Sequence, residues 1–263
     1  MTFDADLTAC AALVEKGDPD RFAAAMASPV AARRVLFPLY AFNIEVARAP
    51  WLTQEPMIAE MRLQWWRDAL EEIAARNAIR RHEVVTPLAA LLDPEAATRL
   101  DRLVAARRWD IYKEAFEDEA HFKAYLDDTA AGIMLVAARV LGQRSDVEIA
   151  PGDALWTAIE KLGYATGLAR FLQAVPALEA QGRIPLVDGR PDAIAQMAQE
   201  ALAAIRPTRS LKNTLPAALQ SALTEAFLTE RLLAQVVNNP RCVADGTLAV
   251  SPLRRSLQLW RWS

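Results

Sequence analysis

The chain has 263 residues, 53% of them apolar, a net charge of −3 and only 9 glycines. This length fits one large domain or two small ones and is enough to bury a sizeable core. Because an alanine-rich chain with few glycines favours helices, collagen-like, disordered and all-β classes are excluded. The weak net charge provides no long-range field for nucleic acid, and we predict no nucleic-acid partner.

The sequence also shows no pattern typical of a targeting signal, a membrane span, or a metal or redox site built on cysteines. The first ten residues carry Asp4 and Asp6, where an export or transit signal would need basic residues. The longest apolar stretch, 130–142, is interrupted by Arg139 and falls short of the ~20 residues that span a bilayer. Cys10 and Cys242 match no metal or redox spacing, so we expect two packed thiols. These features predict a cytoplasmic protein, or one bound peripherally to the inner face of a membrane.

Helix starts are marked by a capping residue followed by proline, whose missing N–H does no harm at the first helical position. This pair occurs at Asp18-Pro19, Ser28-Pro29, Thr86-Pro87, Asp93-Pro94 and Ser251-Pro252. Between these starts, apolar residues recur at intervals of three and four. In the segment 55–76 this spacing predicts one buried face made of Ile58, Met61, Trp65, Ala69 and Ile73.

No alternation with a period of two is long enough for a strand, so the predicted class is all-α. We predict one helical domain over residues 1–263, since no composition shift or internal repeat divides the chain. The clearest long loop is 181–191, which holds two glycines and two prolines. The predicted helices lie near 4–16, 19–27, 29–49, 55–76, 94–118, 120–142, 152–179, 191–205, 216–237 and 252–260.

Three stretches have compositions unusual for an ordinary amphipathic helix, namely residues 33–45, 60–70 and 162–186. The second sets Trp65 and Trp66 among arginine, glutamine and aspartate, and the third has Gly163 and Gly167 four residues apart, which allows close helix approach. A glycine-rich phosphate loop and the common protease and hydrolase motifs are absent from the sequence. We expect the two histidines, at positions 82 and 121, to be partly exposed surface residues.

At these stretches the chain resembles the squalene and phytoene synthase family, whose members are head-to-head prenyl transferases. Leu39-Tyr40-Ala41-Phe42 is similar to the entry of the family's first aspartate motif. Residues 125–134, ending in T-A-A-G-I-M, and residues 162–186 follow two further family frames in the same order. The resemblance runs from about Asp18 to Arg183. It implies an isoprenoid synthase (terpenoid synthase) fold built around a central cavity.

The departures from the family bear directly on catalysis. Active members place aspartates one turn apart on facing helices, where they hold Mg²⁺ on the substrate diphosphate. The resemblance puts these positions at Ala47, Arg48, Trp51, Ala174 and Leu178, and none of these side chains binds Mg²⁺. We therefore predict no catalytic residue and no cofactor, with Mg²⁺ required only if prenyl transfer is retained.

A relocated metal site is the alternative that other acidic residues leave open. Asp110, Glu114 and Asp118 are spaced as one helical stripe, and further acids lie at Asp127-Asp128 and around Asp68. Asp110 and Asp127 are the better metal candidates, because the resemblance implies that their helices line the cavity.

Polar and aromatic residues of the three stretches are the candidates for lining the cavity or holding a phosphate group. Arginine binds phosphate bidentately without a metal, although pairing with Glu45, Glu60 or Asp68 would occupy the same guanidinium groups. Adjacent helical positions point about 100° apart, so one of the two neighbouring tryptophans should enter the core. The candidates are Tyr40, Asn43, Arg48, Arg62, Gln64, Trp65, Asp68, Arg170, Gln173 and Arg183.

Residues 39–49 and 55–70 resemble a divergent branch of the family that includes a mitochondrial assembly factor of respiratory complex I. Members of that branch look like pseudoenzymes, so the resemblance implies a non-catalytic binding or assembly factor with a membrane protein complex as partner. Two alternatives stay open: a prenyl transferase joining two prenyl diphosphates, and a carrier of an isoprenoid lipid. The basic segment 252–263 is expected either to pack on the domain or to rest on an anionic membrane surface.

Overall fold

A computed structural model describes residues 4–208 and 214–262, and within these ranges all regular structure is helical, with no strand. The predicted all-α class is thereby confirmed. Short 3₁₀ turns lie at Ala49–Trp51 and Thr224–Ala226, and a π-helical turn lies at Asp127–Ala131. The α-helices are α1 (Ala5–Gly17), α2 (Pro19–Met26), α3 (Val30–Arg48), α4 (Pro56–Ala74), α5 (Val85–Ala89), α6 (Pro94–Ala106), α7 (Trp109–Tyr112), α8 (Glu119–Leu126), α9 (Gly132–Gln143), α10 (Ala154–Ala180), α11 (Pro191–Ile205), α12 (Ala217–Leu223), α13 (Thr229–Asn238), α14 (Arg241–Ala244) and α15 (Pro252–Trp262).

Aspartate caps fix two of the helix starts as the sequence predicts. The Asp18 carboxylate accepts from the backbone N–H of Arg21, and Asp93 caps α6 in the same way. Two other starts differ from prediction. Helix α3 is capped by Pro29 rather than Ser28, and α5 begins at Val85, so that Pro87 lies inside the helix.

The prediction of a single helix over 94–118 is wrong, because this segment contains α6, α7 and a stretch without regular structure. Helix α6 ends at Ala106, and the short α7 is closed by Lys113, whose φ of 55° is left-handed. The chain then runs without regular structure to Asp118, which caps α8. Asp110, Glu114 and Asp118 therefore do not form a helical stripe. The predicted helix over 216–237 is likewise divided, by the 3₁₀ turn at Thr224–Ala226.

The centre of the fold is built on α3 and α10. Tyr40, Phe37 and Phe42 of α3 are fully buried. Helix α10 packs against the π-helical turn through its two glycines: a Cβ at Gly163 would lie 2.5 Å from the Cα of Ala131, closer than van der Waals contact allows. The predicted close approach at these glycines is confirmed, and it brings α10 and the turn into direct backbone contact.

The buried face predicted for α4 is partly wrong. Ala69 and Ile73 are buried, but Trp65 is half-buried, Ile58 is partly exposed and Met61 is 67% exposed. The first turns of α4 instead bury Ala59 and Leu63, because α4 packs mainly along α6 and turns its other side to solvent. Apolar residues at the start of α4 thus lie on the surface.

Candidate functional site

A buried ionic cluster joins α2, α3, α10 and the turn Thr224–Ala226. Arg21 Nε donates to Glu225 Oε2 at 2.6 Å, and these side chains are only 6% and 1% exposed. Arg170 Nη1 donates to Asp18 Oδ2 at 2.9 Å. The Arg21 guanidinium also lies 5.1 Å from the centroid of the Tyr40 ring. Two salt bridges thus meet beside a phenol in the interior.

Burial and charge act in opposite directions within this cluster. Burial raises the pKa of Asp18, but attraction by Arg170 and Arg21, with their hydrogen bonds, outweighs it and holds that pKa below its ordinary value. Burial lowers the pKa of Arg21, while Glu225 and Asp18 raise it to a net value above the ordinary one. Burial, and then Glu225, raise the pKa of Tyr40, whose phenol therefore stays protonated.

A second buried cluster is centred on Arg107. Arg107 Nη1 donates to the Tyr125 hydroxyl at 2.8 Å and to Asp110 Oδ2 at 3.1 Å, and the Tyr125 hydroxyl donates to Asp110 Oδ1 at 3.1 Å. Burial lowers the pKa of Arg107, but Tyr125 and Asp110 raise it above its ordinary value, against an opposing effect of Arg21. The two clusters are therefore close enough to interact electrostatically.

Arg183 joins the second cluster to the 3₁₀ turn Ala49–Trp51. Its guanidinium donates to the carbonyl oxygens of Trp109, at 3.2 Å, and Asp110. It lies 4.8 Å from the centroid of the Trp51 ring and 5.1 Å from that of Trp109, so it is held between two indoles. We call the two clusters together the buried polar centre, which consists of Asp18, Arg21, Tyr40, Arg107, Asp110, Tyr125, Arg170, Arg183 and Glu225.

The residues of this centre do not fit Mg²⁺. Asp18, Asp110 and Glu225 each face a guanidinium, which competes with a metal for the same oxygens. Within residues 4–208 and 214–262, no group of three or more aspartate, glutamate, histidine or cysteine side chains is placed to hold a metal ion. The two metal candidates have different partners. Asp110 belongs to the buried polar centre, whereas Asp127 pairs with Lys123.

Four predicted site residues lie in the buried polar centre: Tyr40, Arg170, Arg183 and the metal candidate Asp110. Asn43 lies one turn beyond Tyr40 on α3 and is also buried. The Tyr40 hydroxyl, Asn43 Oδ1 and Arg183 Nε have no hydrogen-bond partner in the described chain. The interior of the fold therefore contains polar atoms that form no hydrogen bond with the described residues.

The remaining predicted residues lie outside this centre. Arg48 pairs with Glu45, one of the pairings that the sequence left open. Gln64 donates to Asp68 at 2.7 Å on the outer side of α4, and Arg62 is exposed there.

The two tryptophans of α4 and the predicted Gln173 serve packing. Trp66 is buried, whereas Trp65 packs against His82 under the guanidinium of Arg80, 4.8 Å from the ring centroid. Gln173 donates to the carbonyl oxygen of Leu248 at 3.0 Å and so fixes the segment that leads to α15.

Five members of the buried polar centre were missed by sequence reasoning: Asp18, which was predicted only as a helix cap, and Arg21, Arg107, Tyr125 and Glu225. Glu225 gave a usable signal, because residues 222–228 are apolar except for this acid and Thr224. An isolated charge in such a run must be paired when it is buried. Arg21 lies on the amphipathic α2 and Arg107 follows the last residue of the amphipathic α6, and at both places an arginine is ordinarily solvated.

A separate groove of about 790 Å³ lies between α8, α10 and α11. Of the predicted candidates only Asp127 lines it. Tyr164 of α10 forms part of its wall, and burial raises the pKa of this tyrosine to about 12. The wall mixes acidic and basic side chains, including Glu160 and Lys161.

These features define the class of protein. The sequence model of the family described as squalene/phytoene synthase matches residues 14–187, and the chain belongs to this family. A solved dehydrosqualene synthase superposes with a TM-score of 0.77 over 98% of this chain and 95% of its own, at 15% identity. The squalene synthase HpnC of Alicyclobacillus acidocaldarius gives 0.71 over 89% and 93%, at 17% identity. The isoprenoid synthase fold is thereby confirmed.

Individual relatives indicate which branch of the family the chain resembles. The chain is 27% identical over 273 residues to the "NADH dehydrogenase (ubiquinone) complex I, assembly factor 6 homolog" of Drosophila melanogaster, covering 91% of this chain and 79% of that protein. It is 24% identical to human complex I assembly factor 6 over 168 residues, or 64% of this chain. The match spans about half the length of the human relative. The predicted resemblance to this branch is confirmed.

Proposed function

We propose that this protein is a non-catalytic member of its family that acts as a binding or assembly factor for respiratory complex I. One observation carries the proposal: the positions where the family resemblance implies metal ligands are Ala47, Arg48, Trp51, Ala174 and Leu178, and Trp51 covers Arg183 instead. Departure of a diphosphate needs charge stabilisation that these side chains do not supply. The names of the relatives support the assembly role.

An exposed apolar surface supports a binding role. Met57, Ile58 and Met61 share one face of α4 and form what we call the α4 patch, and Met57 and Met61 are 76% and 67% exposed. Apolar surface of this kind is typical of protein interaction sites, and methionine adapts to varied partners. We assign the α4 patch to an assembly intermediate of complex I.

The proposed place of action is the inner face of the membrane that holds the complex. No helix of the described residues is long and apolar enough to cross a membrane. We propose peripheral contact through residues 252–263, and activity that requires no metal or other cofactor.

A carrier of an isoprenoid lipid is the second candidate. The unpartnered Tyr40 hydroxyl, Asn43 Oδ1 and Arg183 Nε favour it, since a bound polar head group would satisfy them. Organic extraction of the purified protein, followed by mass spectrometry, tests this candidate. A stoichiometric isoprenoid lipid supports it, and an extract free of lipid contradicts it.

Catalysis is tested by pyrophosphate release from farnesyl and geranylgeranyl diphosphate, with Mg²⁺ and with chelator. We expect no release by a sample whose circular dichroism shows folded helix. Metal-dependent turnover would contradict the non-catalytic proposal and support prenyl transfer.

The assembly role is tested by deleting the gene in the organism that encodes the chain. Assembled complex I, measured on native gels and as NADH-dependent quinone reduction, should fall. The wild-type gene should restore it, whereas Met57→Ser/Met61→Ser should not. Met26→Ser is the matched control, because Met26 is also exposed but lies at the end of α2. Full assembly in the deletion strain would contradict the proposal.

A further inference from the structure

Helix α15 presents an apolar stripe to solvent. Leu253, Leu257 and Trp260 are spaced at i, i+4 and i+7, which places them on one face of the helix. Leu253 is 86% exposed and Trp260 74% exposed, and Leu257 is exposed between them. The helix accounts for residues 252–262 of the basic segment, and Ser263 lies outside the described residues.

The opposite face fixes the direction in which this stripe points. Leu259 and Trp262 pack against the core, and Arg255 forms a salt bridge with Asp20 of α2. The helix therefore lies along the body of the protein, attached by one side. Its apolar stripe faces away from the domain, where an amphipathic helix would ordinarily expose polar side chains.

Charge is segregated onto this end of the chain. Residues 246–263 contain three arginines and no acidic residue, whereas the preceding residues carry 27 basic and 33 acidic side chains. Arg254 and Arg261 are exposed and form no ion pair with the described residues. Both lie along the same edge of the apolar stripe, since they stand one residue after Leu253 and Trp260, so the outward side of α15 combines positive charge with leucine and tryptophan.

We propose that α15 docks this protein on the surface of an anionic phospholipid bilayer through Leu253, Leu257 and Trp260, with Arg254 and Arg261 at the lipid phosphates. Interfacial helices bury such a face ~5–10 Å into the headgroup boundary. At ~1.5 Å per residue α15 is about 16 Å long, which suits a helix lying in the membrane plane. Tryptophan is favoured at this depth because its ring is apolar and its N–H is polar.

A second copy of the chain is a poorer occupant than a membrane. Apposing two α15 stripes would bring the arginines of both copies together, and neither helix has an acidic residue to pair with them. An anionic lipid surface supplies the complementary charge for both arginines at once. The inference rests on the proposed function for the identity of the membrane, and it deepens the peripheral contact through residues 252–263 that is proposed there.

Cosedimentation of the full chain with vesicles tests the inference. We expect binding to phosphatidylcholine vesicles that contain phosphatidylglycerol, weaker binding in high salt, and little binding to pure phosphatidylcholine. Arg254→Gln/Arg261→Gln should weaken binding about 25-fold, since each arginine near such a surface is worth roughly fivefold. Leu257→Ser/Trp260→Ser should weaken it as well. Arg190→Gln and Ile79→Ser, exposed changes elsewhere, should leave it unchanged.

Insertion is read separately from Trp260. Brominated lipids should quench more fluorescence in the wild type than in Trp260→Phe, because only the wild type has an indole in the acyl boundary. The inference is overturned if the wild type does not bind vesicles, or if the α15 variants bind vesicles as well as the wild type does. It is also overturned if the wild type self-associates and the α15 variants do not, because the stripe would then bind a second copy of the chain. Vesicle binding involves no respiratory complex. Vesicle binding can therefore fail while the assembly role holds, and the assembly role can fail while vesicle binding holds.

Discussion

The buried pair of Arg21 and Glu225 should be essential to stability, and Glu225→Ala tests this. Glu225 is 1% exposed and its Oε2 lies 2.6 Å from Arg21 Nε. Removing one partner of a buried pair costs about 3–5 kcal/mol, because the other charge stays in the interior without compensation. Asp18 remains 3.7 Å from Arg21, so we expect the lower end of that range, about 3 kcal/mol.

For a chain of this length, each kcal/mol shifts the thermal midpoint by about 2 °C, so Glu225→Ala should lower it by about 6 °C. Scanning calorimetry measures this shift directly. Asp188→Ala is the matched control, because its partner Arg190 is 82% exposed and a solvated pair contributes little. We expect the control to melt with the wild type.

The double variant Arg21→Met/Glu225→Leu separates charge from packing. Replacing a whole buried pair by apolar side chains is often neutral, so the double variant should recover most of the lost stability. A midpoint for Glu225→Ala equal to that of the control would refute the reasoning. A double variant as unstable as the single one would assign the loss to packing rather than to an unpaired charge.

Three further predictions follow from local geometry. Gly163→Ala should cost roughly 1–3 kcal/mol by overpacking against Ala131, whereas Gly189→Ala, with no atom near its Cβ, should be neutral; equal midpoints would contradict this. Because the folded pKa of Asp18 lies below its unfolded value of about 3.9, its stabilisation is present above that pH and lost as the pH falls through the folded pKa. Urea titrations of Asp18→Asn and wild type should therefore differ at neutral pH and converge in acid; a constant difference would contradict this. Cys10 and Cys242 are buried, with the pKa of Cys10 raised to about 12 chiefly by burial, so iodoacetamide should label neither thiol before unfolding.

Helix positions could be predicted from the sequence where caps and periodicity agree. Helix α11 was predicted with its observed bounds, 191–205, because proline marks its start and an apolar stripe continues to its end. The error at 94–118 has a different origin. Residues 107–118 have helical propensity, but the helix is interrupted there. The interruption lets Phe116 contact the rings of Trp109 and Tyr125 in one aromatic cluster. Tertiary packing overrides local propensity there.

The site was less predictable than the fold, because its residues pair over long sequence separations. Arg21 meets Glu225 across 204 residues, and Arg170 meets Asp18 across 152. A single sequence contains no signal that couples such positions. The resemblance to the family located Tyr40 and Arg183 only because they stand inside the motifs that carry the resemblance. For the same reason it drew attention to Gln64 and Arg62, which lie on the solvent side of α4.

Trp51 occupies the last position of the first motif implied by the family resemblance, so Trp51→Asp tests whether metal binding can be restored there. The new carboxylate would replace an indole that lies 4.8 Å from the Arg183 guanidinium. A positive charge at that distance favours the carboxylate but competes with Mg²⁺, which also needs several oxygen ligands. Ala47 and Arg48 supply none. Millimolar Mg²⁺ should therefore leave the thermal midpoint of Trp51→Asp unchanged, as in the neutral control Trp51→Asn. Binding tenfold tighter than the Mg²⁺ concentration would add about 1.4 kcal/mol, or about 3 °C. Such a rise in the aspartate variant alone would show that the fold still holds a latent metal site.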